Sequence, residues 1–130
     1  MQSEARPTVS KLSLWTGRIL SALAVAAFTM SAVLKFRGPP EFASEFERLG
    51  YGPPLAFGLG IVELTCAALY AIPQTAVLGA VLLTGYLGGA TATHFRVGDP
   101  YYAPVILGVI VWIALFLRDG RLRQLLPWRR

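Results

Sequence analysis

The sequence predicts an all-α integral membrane protein: a four-helix bundle with a short interfacial helix in its first outer loop. Of the 130 residues 55% are hydrophobic and 15% charged, and the mean hydropathy is +0.55, so an aqueous fold would leave much apolar surface exposed. The apolar residues gather in four runs, each approaching the about 20 residues that a helix needs to cross the hydrocarbon core. The positive charges gather towards the two ends of the chain.

The first run extends from Arg18 to Lys35. Lys11 followed by Ala22-Leu23-Ala24 resembles a secretory signal peptide, but that cleavage site lies too early and the apolar run continues to Leu34. Gly38-Pro39-Pro40 breaks the helix. Beyond it Phe42, Phe46 and Leu49 recur at spacings of four and three, which predicts an amphipathic helix over Glu41 to Leu49 lying on the bilayer surface. A lid over the outer end of the bundle is the alternative role. Gly50-Tyr51-Gly52-Pro53-Pro54 then starts the second span, Leu55 to Ile72, and Pro73-Gln74-Thr75 predicts a tight turn into the third, Ala76 to Phe95. The fourth, Tyr101 to Leu117, is the shortest, with Tyr101, Tyr102 and Arg118 as headgroup anchors. The chain thus divides into an N-terminal tail (1–17), a membrane domain (18–118) and a basic C-terminal tail (119–130).

Arg6, Lys11 and Arg18 at one end, and Arg118, Arg121, Arg123, Arg129 and Arg130 at the other, place both termini in the cytoplasm by the positive-inside rule. The location expected is the inner (plasma) membrane, crossed several times. The net charge of +5 then serves topology and contact with anionic lipid. Nucleic acid is not an expected partner, because the arginines flank a span and do not interleave with aromatics on a soluble module. Trp15, Trp112 and Trp128 read as interfacial belt residues.

Glu63 lies in the middle of an otherwise uncharged span. An ionised side chain at the membrane centre is opposed by roughly 3 kcal/mol on insertion scales, so it faces the bundle interior with a partner. Its stripe holds Ala56, Gly60, Ala67 and Tyr70, small or polar residues suited to helix contact. Ser21, Ala24, Phe28, Ser31 and Lys35 form a matching stripe on the first span, and Gly85, Gly89 and Thr93 a contact stripe on the third. Glu63 lies about 13 Å below the outer end of its span, whereas Lys35 and His94 lie near the outer ends of theirs. Side chains lean towards their own helix N-terminus, and these helices run in opposite directions, so the three can converge. A buried cluster of Lys35, Glu63 and His94 is predicted, with Tyr86 at the depth of Glu63 as a hydrogen-bonding neighbour. The bland alternative has Lys35 reaching water and Glu63 protonated in an interhelix hydrogen bond. No metal site is expected, because one histidine and the lone Cys66 fall short of clustered ligands.

These residues resemble the DoxX-like membrane proteins. The similarity rests on Ser31-Ala32-Val33-Leu34-Lys35, on Phe46-Glu47-Arg48-Leu49-Gly50-Tyr51, on Gly60-Ile61-Val62-Glu63-Leu64, and above all on the run from Gly85 through His94-Phe95-Arg96 to Pro100. It covers about Arg18 to Arg118. The resemblance implies a four-helix membrane bundle with family motif positions at Lys35, Glu63, His94 and Arg96. It also implies a link, in some members, to quinone-coupled oxidation or to accessory roles in larger membrane complexes.

The function expected is therefore that of an accessory or ligand-binding subunit with a buried Lys/Glu/His pocket, linked to quinone or redox metabolism. The candidate ligand-binding or proton-exchanging residues are Lys35, Glu63, Tyr86, His94 and Arg96. No intrinsic cofactor and no independent catalysis are expected, since the sequence lacks CxxC, paired haem ligands and a dinucleotide loop. A quinone or a lipid is the candidate ligand. Any catalytic part would be that of a quinone-linked oxidoreductase subunit. Membrane lipid, a membrane redox partner and homo- or hetero-oligomers are the expected associations. A small proton-coupled transporter using Glu63, or a structural scaffold, are the alternatives.

Overall fold

A computed structural model of the chain describes residues 9–126, and among these every regular element is helical. Arg6, Trp128, Arg129 and Arg130 lie outside the described residues. Helix α1 spans Lys11–Arg37, α2 Pro40–Arg48, α3 Pro53–Ala71, α4 Ala76–Arg96, α5 Tyr102–Arg118 and α6 Gly120–Leu125, with a single 3-10 turn at Pro73–Thr75.

Helix α1 starts earlier than the apolar run because Ser10 caps it, its hydroxyl accepting from the Ser13 amide at 3.1 Å. It stops at Gly38, whose φ of 57° is left-handed and whose N–H reaches the Leu34 carbonyl at 2.9 Å. Glycine takes that conformation without a Cβ clash. Prolines at the first positions of α2 and α3 preset the helical φ where no intrahelical N–H is needed. The Pro73–Thr75 turn is tight, as the sequence predicts, and the Thr75 hydroxyl closes it by donating to the Leu69 carbonyl at 2.7 Å.

Helices α1, α3, α4 and α5 form a ring in which α1 and α4 each pack against both α3 and α5 but not against each other. Helices α1, α3 and α4 are long and apolar enough to cross a membrane. Helix α5 has 17 residues, about 26 Å of rise against a core of about 30 Å. Large apolar side chains point outwards all round, among them Leu23 and Met30 of α1, Phe57 and Ile61 of α3, Leu78 and Val81 of α4 and Ile106 and Ile113 of α5. A protein in lipid presents that surface, and packing rather than water exclusion must then join the helices. The interior is filled by Phe28, Tyr70, Leu83, Val111 and Leu115, all essentially inaccessible.

Close approach depends on Gly60, as expected, and on two further glycines. A Cβ on Gly17 would lie 2.7 Å from the Ala114 carbonyl oxygen, so α1 meets α5 there, and one on Gly79 would lie 2.8 Å from the Leu69 carbonyl carbon. Gly60 brings α3 against α1, where a Cβ would sit 3.1 Å from that of Lys35. The stripe of Gly85, Gly89 and Thr93 is not a helix contact: a Cβ on either glycine would meet nothing within 4 Å. Trp112 departs from the belt role, since its indole N–H donates to the Thr84 hydroxyl at 2.7 Å and ties α5 to α4.

We call the end of the bundle bearing α2 the loop end and the opposite one the terminal end. Near the terminal end the buried Tyr70 hydroxyl donates to the Val111 carbonyl at 2.8 Å and accepts from Ser21 at 3.3 Å. The first part of the expected C-terminal tail is not free: Leu122 of α6 is buried, and Arg123 donates to the Phe116 carbonyl at 2.9 Å.

Candidate functional site

Lys35 and Glu63 meet inside the loop end. They stand on the facing stripes of α1 and α3, brought together by Gly60, which keeps those two backbones close. The Lys35 ammonium donates to both carboxylate oxygens, at 3.3 and 3.4 Å, and to the Ser31 hydroxyl one helical turn back at 2.7 Å. The residues are 8% and 3% exposed, so bulk water does not reach the pair. Lys35 therefore does not reach for water.

Aromatic rings complete the shell. The Lys35 Nζ lies 5.5 Å from the ring centroid of Phe46 and 5.9 Å from those of Phe42 and Tyr86. Each ring face is within the range of attraction between a cation and a π system. Two of these rings belong to α2, which thus covers the ion pair. These contacts fit the lid role for the short helix of the first outer loop. The Phe42 and Phe46 spacing carried the signal for this, since it gives α2 one aromatic face.

On the α4 side of the pair lies a cavity of about 240 Å³, walled by Phe46, Leu49, Tyr51, Leu59, Tyr86 and His94 and floored by Gly85, Gly89 and Ala90. The glycines of α4 leave room here instead of touching another helix. Thr93 closes one side: its hydroxyl donates to the Gly89 carbonyl and accepts from the Tyr51 hydroxyl, both at 2.8 Å. Tyr86 joins the two parts, since its ring borders the cavity while facing Lys35.

His94 is not in the Lys35–Glu63 cluster, contrary to the expectation. Its ring borders the cavity, but its Nδ1 faces the Asp99 carboxylate at 3.5 Å, too far for a hydrogen bond, and has no other partner. The cause is local. The chain turns back after α4, the Asp99 amide donating to the His94 carbonyl at 2.9 Å, which sets an acid beside the imidazole. Asp99 also forms an ion pair with Arg48, which pairs with Glu45 on α2. The Arg48 guanidinium holds the Asp99 carboxyl below the usual aspartate range. Arg96 is outside the cluster too, does not line the cavity, and donates to the Leu49 carbonyl at 2.7 Å. Arg96 and Asp99 thus fasten the C-terminal end of α2 to the end of α4, and Asp99, Phe42, Phe46 and Tyr51 are site residues that were not expected.

Residues 19–116 match the DoxX-like family. The chain belongs to that family. Comparison with curated proteins and with solved structures gives no match. In this DoxX-like protein the positions singled out by resemblance fall into two groups: Lys35 and Glu63 form the buried pair, and His94 and Arg96 stand at the end of α4 beneath the α2 connection. The chemistry available is that of an enclosed ammonium and carboxylate, with a phenol and an imidazole on the wall of an adjoining apolar chamber.

Proposed function

We propose that this DoxX-like protein is an accessory, ligand-binding membrane subunit that receives the ring of a quinone-like amphiphile in the chamber between α2, α3 and α4. The observation that carries the reading is a mostly apolar cavity of about 240 Å³ that shares the rings of Phe46 and Tyr86 as a wall with a buried ion pair. The volume falls just below the roughly 300 Å³ at which sites for drug-sized molecules begin, so it suits a single ring whose tail leaves between helices. Tyr86 and His94 offer hydrogen bonds to ring oxygens, and the Lys35 ammonium on the far side of the Tyr86 ring favours negative charge developing there. Electrons come from a partner redox enzyme in this reading, and the subunit supplies binding and proton exchange. The arginines at the terminal end put that end in the cytoplasm, so the chamber lies towards the opposite side of the membrane.

Photolabelling tests this. A short-chain azidoquinone added to the protein in lipid nanodiscs should label the α4 segment from Gly85 to His94 saturably, and unlabelled quinone should compete. Gly89→Leu puts an apolar side chain into the chamber from a position where the Cβ itself meets open space. It should abolish labelling while the helix content and melting temperature hold. Absence of saturable labelling, or labelling that survives Gly89→Leu, refutes the quinone reading.

A further inference from the structure

The terminal end holds a second polar cavity, unconnected with the chamber under α2. It has a volume of about 470 Å³ and lies where the Pro73-Gln74 turn faces the junction of α5 and α6, with Arg118, Asp119 and Arg121 on its walls. A smaller hollow of about 150 Å³ shares Pro73, Arg118 and Asp119 with it and adds Arg18 of α1. Arg118 and Arg121 thus border the larger recess and Arg18 and Arg118 the hollow that adjoins it, three arginines from three helices against a single carboxylate.

That carboxylate does not neutralise them. Asp119 caps α6, accepting from the Arg121 backbone amide at 2.9 Å, and among the described residues none of Arg18, Arg118 and Arg121 forms an ion pair. Arg118 is held in place without an anion. One of its terminal nitrogens donates to the Tyr70 carbonyl at 2.8 Å, its guanidinium stacks 4.9 Å from the Tyr70 ring centroid, and its Nε has no acceptor. The backbone that carries Arg121 is held by its neighbours, since Leu122 is buried and Arg123 donates to the end of α5, while its side chain is exposed. Orienting cations before a ligand arrives lowers the entropy lost on binding. Planar guanidinium forks match the paired oxygens of a phosphate, and the recess sits where the apolar spans end, at the depth of lipid headgroups.

We infer that this recess is a binding site for a phosphate group, held by Arg18, Arg118 and Arg121 with the Gln74 amide as a neutral donor. The same oxygens are presented by the headgroup of an anionic phospholipid and by a soluble phosphate compound. The site is independent of the quinone reading, at the opposite end of the molecule.

The test uses the full chain in detergent micelles, titrated separately with short-chain phosphatidylglycerol and with inorganic phosphate, and followed by the fluorescence of Trp15, whose ring stacks under Arg18. Saturable binding of at least one probe is expected, with Arg121→Gln and Arg18→Gln each weakening it about tenfold, the loss of one charge-assisted hydrogen bond. Arg121 and Arg18 are exposed, so these variants spare the fold, whereas Arg118→Gln would also disturb Tyr70. Binding of both probes, mutually competitive, identifies the phosphate group as the element recognised. Binding of the lipid alone, lost in the same variants, identifies a membrane headgroup site. No saturable binding of either probe, or binding that Arg18→Gln, Arg121→Gln and the loop-end control Arg37→Gln leave equally unchanged, overturns the inference.

Discussion

The Lys35 ammonium stands between the two oxygens of Glu63 at 3.3 and 3.4 Å, with side-chain exposures of 7% and 4%. Removing one partner of such a pair leaves a buried charge uncompensated, which costs about 3–5 kcal/mol, whereas removing both is much milder. Lys35→Met and Glu63→Gln should each lower stability by about 3 kcal/mol, and the double variant by clearly less than the sum. A double-mutant cycle on unfolding in mixed micelles reads this. Additive losses would mean that the two groups are held apart by something other than each other.

The second prediction concerns pH and the fastening of α2. Arg48 holds the Asp99 carboxyl below its ordinary value, so the folded form binds that proton less readily than the unfolded chain. The resulting stabilisation is fully present well above about pH 4, the ordinary aspartate value, and is lost as pH falls through the lower folded value. Glu45 shares Arg48, and a protonated His94 would strengthen the ionised carboxylate further. Amide shifts of α2 recorded by NMR should stay constant from pH 7 to pH 5 and move only below about pH 4. Asp99→Asn should give the acid pattern at pH 7. A transition of α2 between pH 7 and pH 5 would show that Asp99 does not control it.

Tyr70 supplies the third. Its hydroxyl joins α3 to α5 and α1 through Val111 and Ser21 in a fully buried position. Tyr70→Phe keeps the packing and deletes both interhelix hydrogen bonds of the hydroxyl, so the loss should be about 1–2 kcal/mol. Tyr70→Ala also opens a cavity and removes the ring on which Arg118 rests, and should cost about 3–5 kcal/mol. Equal losses would show that the hydroxyl, not the ring, dominates. The melting temperature in detergent separates them.

Much of this was legible in the sequence because a bilayer simplifies the problem. Apolar length alone marks the helices, and the intramembrane charge of Glu63 demands a partner, which Lys35 on the facing stripe provides. What escaped was set by approach in three dimensions. His94 and Glu63 were placed by rise along straight helices, but the turn after α4 supplies Asp99 to the imidazole, and no axial measure contains that contact. Gly85 and Gly89 carry the spacing of a packing motif and yet line a chamber, because spacing specifies a face of the helix and not what stands opposite it. Helix α2 was legible but its cover over the ion pair was only an alternative, since its aromatic face suits lipid and an ammonium equally well.

The glycines allow a sharper separation of contact from spacing. At Gly17 an added methyl would meet the Ala114 carbonyl oxygen at 2.7 Å and the Arg118 amide nitrogen at 2.9 Å, both backbone atoms of α5 that cannot rotate away. Gly17→Ala must push α1 from α5, and overpacking of that kind costs about 1–3 kcal/mol. At Gly88, exposed on α4, the same methyl meets nothing within 4 Å. Gly88→Ala should be stabilising by about 0.5–1 kcal/mol, because it only removes backbone freedom from the unfolded chain. Unfolding of the two variants side by side tests the bundle geometry itself. If Gly17→Ala proves as harmless as Gly88→Ala, α1 and α5 do not approach as described. If Gly88→Ala is the damaging one, α4 meets a further helix through its glycine face, and that helix must come from a second chain.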